Sequence, residues 1–223
     1  MLLAALNEEH GIGPTIKDLK QYLINPVILV IDGQSVDRTV KIAQRFDITV
    51  LRQQGTGKGN AIAQGIGHAN FSGDYAVIID ADFTYPAEFI PHMVDVLDSR
   101  PEVGMVCGSR FNDKFVMSDM KSMFFIGNRI LSFTQNLFNG VKLNDPLSGL
   151  RVIRWNLLRN WCPNSLGFDI EVELNHFVEK QGYSIVEVPI RFRPRLGKKK
   201  LAVFDGLTIL KRIILESISR RGK

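Results

Sequence analysis

The chain has 223 residues, of which 45% are hydrophobic and 23% charged, and a formal net charge of +5. That length supports one well-cored domain, and the composition is that of a soluble globular protein, which excludes a disordered or fibrous chain. Cys107 and Cys162 lie far apart, and His10, His68, His92 and His176 show no ligand spacing, so neither a disulfide framework nor a zinc or histidine metal centre is indicated.

The first half alternates. "MLLAALNEE" opens as an apolar strand running into a polar turn, and no charged segment leading into an apolar one begins the chain, so no signal peptide is expected. "NPVILVID", "DITVLRQ", "DYAVIID" and "EVGMVCGS" are short β-branched runs that read as strands; segments near 14–24, 37–46, 59–69 and 86–99 read as helices. Strand and helix in turn predict an α/β fold, a parallel sheet with helices on its faces. Ligands of such sheets bind beyond the carboxyl ends of strands, where "NEE", "DGQS", "DAD" and "GSR" fall.

The second half is less regular. An amphipathic stretch from about Met117 to Phe138 precedes the turn-rich "NDPLSGLR", followed by a helix near 169–181, the strand "YSIVEVPIRF" and a basic amphipathic helix at about 205–221. Leu207, Leu210, Ile214 and Ile218 recur along that helix at helical spacing, flanked by Lys211, Arg212, Arg220 and Arg221; the pattern fits a core helix with solvated cations or one lying on a membrane surface. "FFIGNRILSF" and "LTILKRIILESI" are interrupted by basic residues and fall short of the roughly 20 apolar residues a membrane span needs. Residues 191–223 hold eleven Lys or Arg against two acids, while the first 190 hold 17 against 21. Such a basic end suits an anionic membrane surface or a phosphate ligand; without interleaved aromatics, no nucleic-acid partner is expected.

Two acids end the run "VIIDADFTYP". In an extended segment alternate side chains share a face, so Asp80 and Asp82 are expected to converge, and carboxylates that close need a cation, a basic side chain or a shared proton between them. Oxygen ligands at a strand end fit Mg²⁺ or Mn²⁺, which commonly shares its coordination with phosphates and so implies a nucleotide diphosphate. "GTGKGNA", residues 55–61, is neither a Walker A loop nor GxGxxG; its glycines, Lys58 and the helix start behind them fit a phosphate loop or a flexible turn equally. "PLSGL" lacks a hydrolase nucleophile elbow, so Ser148 is not read as a nucleophile.

Taken in order, "LNEE", "VIDGQSVDRT", "GTGKGNA", "DADFTYP", "GSR", "DPLSGLR", "FDIEVE" and "GKKKL" give the chain a resemblance to family 2 glycosyltransferases, and within them to the dolichyl-phosphate (polyprenyl-phosphate) glycosyltransferases. The resemblance spans residues 1–223 and implies a single catalytic domain of the GT-A fold, Rossmann-like, with a mainly parallel sheet and helices on both faces. It implies that Asn7, Glu8 and Asp32 line the pocket for base and ribose, that Lys58 lies near the nucleotide, and that Asp80 and Asp82 hold the metal bridging the diphosphate. Arg110, Asp145, Ser148 and Arg151 match the acceptor side, with Lys121, or alternatively Arg129, as a second basic residue. The closing pattern gives Arg195, Gly197, Lys200 and Leu201, with Lys199 in place of the family's serine; Arg193 is the alternative to Arg195. Asp169 is a further candidate. Thr84 stands where a metal-motif Gln is common, Ala4 and Leu6 depart from the usual Pro and aromatic, and Gly33 replaces a second Asp.

The reaction so implied is transfer of a sugar from a nucleotide diphosphate sugar to dolichyl or polyprenyl phosphate, with inversion, by an enzyme held peripherally at the cytoplasmic face of the membrane. A UDP-sugar is favoured as donor over GDP-mannose on the "DGQS" departure. Charge developing on the leaving group calls for a metal and cations, whereas a lipid phosphate acceptor, already ionised, needs no strong base. A soluble or glycan acceptor is the first alternative. A sugar-1-phosphate nucleotidyltransferase, which would open with a Gly-rich basic loop, and a non-catalytic nucleotide-binding protein are more distant ones.

Overall fold

The computed structural model describes residues 1–69, 73–111, 123–139, 142–198, 200 and 203–221. Strands β1 (Leu2–Ala5), β2 (Leu29–Asp32), β3 (Thr49–Arg52), β4 (Tyr75–Ile78), β5 (Val103–Ser109), β6 (Arg151–Arg154) and β7 (Ser184–Pro189) form one sheet in the order β3-β2-β1-β4-β6-β5-β7. The described helices are α1 (Ile12–Tyr22), α2 (Thr39–Gln44), α3 (Lys58–His68), α4 (Ile90–Ser99), α5 (Met123–Asn139), α6 (Trp155–Leu158), α7 (Ile170–Lys180) and α8 (Val203–Arg221). The mainly parallel α/β sheet expected from the alternating pattern is present.

β6 is the exception, antiparallel to both β4 and β5. Four residues with arginine at each end carry too little apolar pattern to announce a strand. The neighbours supply its register instead: Val152 sits opposite both Val77 and Val106.

Strand side chains alternate between two cores, as the pleat requires. Leu3, Val30, Val77, Val106 and Val152 pack with α1 and α4 on one face, where Ile12, Ile16 and Leu19 recur at helical spacing. Leu2, Leu29, Ile78, Met105 and Ile153 pack with α3, α6 and α7 on the other. A further layer covers α7: Val172 meets Ile209 and Ile213 of α8, with Leu131 of α5 against them.

The stripe expected on the last helix does not face the core. Leu207, Ile214 and Ile218 are 64%, 45% and 62% exposed, while Ile209, Ile213 and Ser217 face inward. The rotation follows from Arg212, whose Nε lies 3.0 Å from Asp169 Oδ2 at the head of α7. Turning the Leu207 stripe inward would swing that guanidinium into solvent. Among the described residues no helix is long and apolar enough to cross a membrane.

From β1 the chain builds outward through β2 to β3, then returns to place β4 on the other side of β1. The switch point therefore lies between β1 and β4, and the carboxyl ends of the parallel strands open at one edge of the sheet there.

Candidate active site

The turns after β1 and β2 brace one another. Asn7 takes a positive φ of 49°, its N–H donates to Ser35 Oγ at 2.8 Å, and its Oδ1 accepts the Val36 N–H at 2.8 Å. Asp32 accepts the Ser35 N–H, 3.1 Å to Oδ2. These contacts fix the loop that follows β2. At Gly33 a side chain would come within 3.2 Å of Gln53 Oε1, so the missing acid leaves room for Gln53. That glutamine, buried and not anticipated from sequence, donates from Nε2 to Gly57 O (2.8 Å) and Asn60 Oδ1 (2.7 Å).

β4 ends at Ile78, so Asp80 and Asp82 lie in the turn beyond it, where Phe83 has φ 69°. The extended geometry expected to bring them together does not hold. Basic side chains organise them instead: Lys58 Nζ is 2.6 Å from Asp80 Oδ1, and Arg195 Nη1 is 2.5 Å from Asp82 Oδ2. Thr84, in place of glutamine, closes the turn by donating its hydroxyl (2.6 Å) and N–H (3.1 Å) to Asp82 Oδ1. Gly11 lets α1 approach this turn, since a Cβ there would sit 2.6 Å from Asp82 Cα.

Arg195 also pairs with Glu8 across the switch point, and Lys200 Nζ reaches Glu8 Oε1 (3.1 Å) and the Asn7 carbonyl (3.0 Å). Burial raises the Glu8 pKa; Arg195 and Lys200 oppose that shift without cancelling it. The segment carrying these cations is bonded to the carboxylate turn by Arg193 N–H to Thr84 O (2.9 Å) and Leu196 N–H to Asp82 O (3.2 Å). Arg193 itself turns to Asp18 (2.8 Å) and lies over the Phe83 ring at 4.4 Å. The two candidate arginines therefore have distinct partners, and Arg195 is the one on the carboxylates. Lys199 and Leu201 lie outside the described residues.

Around Lys58 the segment "GTGKGNA" lies against the 165–167 loop. Two N–H groups in the first turn of α3 are occupied: Gly59 donates to Gly167 O (3.1 Å) and Asn60 to Leu166 O (3.2 Å). A Cβ at Gly57 would lie 2.0 Å from Leu166 O, and one at Gly59 2.2 Å from Ser165 O. Gly57 and Gly59 admit this neighbouring loop. Cationic chemistry then rests on the Lys58 side chain, which is 10% exposed and held between Asp80 and Glu171, the latter at 2.7 Å. Burial works against its charge, but the two carboxylates overcome it and raise its pKa.

On the far side of β4, Arg110 follows β5 and makes a bidentate pair with buried Asp145, 2.7 Å to each carboxylate oxygen. Phe192 flanks the guanidinium at 5.5 Å. Arg151 is placed differently from Arg110. It is 1% exposed and spends its guanidinium on the carbonyls of Ser148 (2.9 Å) and Pro146 (2.6 Å) and on Asn175 Oδ1 (2.5 Å), tying down the 145–150 turn. Ser148 is fully buried. Lys121 lies outside the described residues, and Arg129 is exposed, over the Phe111 ring at 5.4 Å. Asp169 faces Ser165 Oγ (2.8 Å) and Arg212, so it joins α8 to the core. Of the three acids in "FDIEVE" it is Glu171 that reaches the crevice, and its helical position, off the shared face of Asp169 and Glu173, is the signal that separates it.

Among the described residues no three His, Cys, Asp or Glu side chains are grouped to hold a metal. Asp80 and Asp82 present carboxylate oxygens alone, a donor set that fits Mg²⁺ or Mn²⁺ completed by phosphate and water. Asp80 is the more open, 30% exposed, and its Oδ2 occupies the space a side chain at Gly149 would fill, 2.2 Å from that Cβ.

The family model described as Glycosyl transferase family 2 matches residues 2–161. A dolichyl-phosphate hexose transferase of Haloferax volcanii is 29% identical, the match covering 92% of this chain and 87% of the relative. A dolichol-phosphate mannosyltransferase of Pyrococcus furiosus is 27% identical over 96% of this chain and 63% of its own length. Among solved structures, glucosyl-3-phosphoglycerate synthase from Mycobacterium tuberculosis, in complex with Mn²⁺, UDP-glucose and glycerol 3-phosphate, superposes with a TM-score of 0.74 at 23% identity, covering 99% of this chain and 79% of that one. The sheet order, the crevice at its switch point and these likenesses agree: the fold is GT-A, and the chain is a glycosyltransferase that belongs to glycosyl transferase family 2.

Proposed function

We propose that all 223 residues form a catalytic domain that transfers a hexose or N-acetylhexosamine from a nucleotide diphosphate sugar, with UDP as the favoured nucleotide, to the phosphate of a polyprenyl lipid such as dolichyl phosphate. The observation that carries this reading is the state of the carboxylates. Glu8, Asp80, Asp82, Asp145, Asp169 and Glu171 all lie at the crevice or behind it, and each is paired with a Lys or Arg side chain. A carboxylate so engaged is poorly disposed to take a proton from a sugar hydroxyl. An acceptor that arrives already ionised asks for none.

In this reading Asn7, Glu8 and Asp32 shape the nucleoside side of the crevice, with Gln53 behind Gly33. Asp80 and Asp82 would hold Mg²⁺ or Mn²⁺, and a cation there neutralises charge developing on the diphosphate. Lys58, Arg195 and Lys200 add fixed positive charge around the same carboxylates, and Arg110 offers a desolvated guanidinium for the acceptor; Lys121, outside the described residues, is the second cation that the family resemblance implies. Arg151 acts by holding the 145–150 turn beneath Arg110 and Asp145. Direct attack by the phosphate oxygen on the sugar C1 breaks the bond to the diphosphate and inverts the anomeric centre.

Membrane contact fits the outermost layer. Leu207, Ile214, Leu215 and Ile218 of α8 and Ile130, Phe133 and Leu137 of α5 are exposed, with Lys211 and Arg129 also exposed on the same two helices. An apolar face with basic residues beside it suits the anionic cytoplasmic surface of a membrane. A soluble phosphorylated acceptor is the second reading, favoured by the glycerol 3-phosphate and phosphoglyceric acid bound to the structural neighbour.

The test offers radiolabelled UDP-glucose, UDP-N-acetylglucosamine and GDP-mannose with either dolichyl phosphate or glycerol 3-phosphate, in Mn²⁺ or EDTA. Organic-extractable label, lost in EDTA and in Asp82→Ala, is the expected result and names the donor. Label on glycerol 3-phosphate alone moves the acceptor to the soluble class, and no turnover of any donor overturns both readings.

A further inference from the structure

The ammonium of Lys58 is enclosed by two acids from opposite halves of the chain: Asp80 after β4 and Glu171 from the first turn of α7. One carboxylate would already neutralise it. A second buried acid brings its own desolvation cost, so its presence needs a reason beyond pairing a lysine. Glu171 is 8% exposed and Lys58 10%, whereas Asp80 is 30% exposed. The cluster is therefore closed at its Glu171 end and open at its Asp80 end. With two carboxylates against one ammonium it carries one surplus negative charge, while Glu8 and Asp82 next to it are matched by Arg195 and Lys200.

We propose that Glu171 is a positioning residue for the donor site: it draws Lys58 to one oxygen of Asp80, Oδ1, and supplies the surplus charge that leaves the other, Oδ2, able to hold a divalent cation. The inference rests on the metal-dependent reading above and assigns Glu171 a part in it that acts through Lys58. Gly149 completes the arrangement, since any side chain there would press on Asp80 Oδ2. The geometry also connects the halves of the molecule. Asp169 and Glu173, on the other face of the same turn, hold Arg212 of α8, so the turn that seats the last helix also sets the charge of the donor site.

The experiment measures Mn²⁺ binding by electron paramagnetic resonance in the presence of UDP, without turnover, for wild type, Glu171→Gln and the double variant Lys58→Met with Glu171→Gln. Removing one charge near the cation weakens Mn²⁺ binding by about tenfold in Glu171→Gln. In the double variant the surplus negative charge returns, so binding recovers toward wild type. A merely structural Glu171 gives the opposite, a double variant no better than the single. Steady-state rates with a sugar donor add a second readout: the Mn²⁺ concentration for half-maximal rate rises in Glu171→Gln while kcat at saturating Mn²⁺ changes little. Equal Mn²⁺ affinity in wild type and Glu171→Gln overturns the role of Glu171 alone, and a wild type that binds no Mn²⁺ with UDP overturns the metal-dependent reading with it. If Glu171→Gln does not fold, Glu171→Asp, which keeps the charge, is expected to bind Mn²⁺ within about threefold of wild type, and a loss as large as tenfold there refutes the charge argument.

Discussion

From β1 to β4 the turns that border the crevice are shaped by the backbone. Strands in parallel register end at one level, short turns follow, and Asn7, Asp32 and Thr84 close those turns through main-chain N–H groups. Beyond β5 the placement is done by buried charged side chains. Arg110 grips Asp145, Arg151 ties three carbonyl oxygens, Lys58 is shared with Glu171, and Arg212 pins α8 to α7. The first half is built on a sheet edge common to many α/β enzymes, but the second half, with its antiparallel insertion, has no such edge. Ionic clusters stand in for it, and they give the second half a dependence on single residues that the first half lacks.

The largest effect expected from that difference is at Arg151. Replacing it by Met leaves the Ser148 carbonyl and Asn175 Oδ1 buried without a donor, at about 1–3 kcal/mol each before local relaxation, and leaves the Pro146 carbonyl with Asn175 Nδ2 alone. A net loss of about 3 kcal/mol or more is expected in urea unfolding, the size of effect seen when a buried charged group is removed from its partners. A loss under about 1 kcal/mol would mean that backbone pairing of β6 holds the turn unaided, and the two halves would not differ as described.

Gly57 probes the place where the halves meet. Its φ of 96° and the 2.0 Å approach of Leu166 O to a Cβ there make Gly57→Ala costly on two counts. Strain in the positive-φ region alone is of order 1 kcal/mol, and displacing the 165–167 loop adds to it, so a loss of about 2 kcal/mol is expected in thermal or urea melts. Because Gly59 and Asn60 donate to that loop, the displacement is expected to free their N–H groups and quicken their hydrogen exchange. Gly67, with open space around it, is the control: Gly67→Ala is expected to stabilise α3 slightly.

Arg212 tests the outer layer alone. The side chain is 16% exposed and bridges Asp169 and Glu216, with Glu173 slightly farther away. Arg212→Met is expected to cost about 1 kcal/mol, as a partly screened ion pair does, and to raise hydrogen exchange across α8 with little change in the sheet. A uniform rise through β1 to β5 would show that α8 is integral to the core and not docked upon it.

These contrasts also mark what the sequence disclosed. The strands from β1 to β5, the helices between them and the concentration of acids at their carboxyl ends follow from periodicity and from the rule for parallel sheets. What stayed hidden depends on contacts between distant segments. β6 has no pattern of its own and is fixed by Val77 and Val106. The 165–167 loop that lies on Gly57 and Gly59 of "GTGKGNA" comes from more than a hundred residues away, and nothing in that segment announces it. Glu171 and Gln53 are single polar residues whose importance lies in what they face, and the inward face of α8 is selected by Arg212 against the more apolar stripe. Local chemistry is legible from local sequence; the pairing of charges across the chain is not.

The smallest effect concerns Cys107, which lies on β5 beside the Arg151 guanidinium, 3.6 Å from Nη1. Burial pushes its thiol up to about 11, against an opposing pull from Arg151. An acid whose pKa is raised on folding keeps its proton in the native state and gives it up more readily when unfolded, so its contribution to stability is intact below the unfolded value near 9.0 and lost as pH climbs toward about 11. Tyr85, buried and pushed up to about 12, extends the same trend. The urea midpoint is therefore expected to hold from neutral pH to the edge of that window and then to fall, with a shallower fall in Cys107→Ala. Thiol labelling gives the companion measurement at neutral pH: the native protein should react through exposed Cys162 alone, and both cysteines should react once urea has opened the sheet. Rapid native labelling of Cys107 would mean that β5 and β6 separate readily despite the Arg151 clamp, so that the ionic half of the molecule opens locally while the backbone-registered half stays closed.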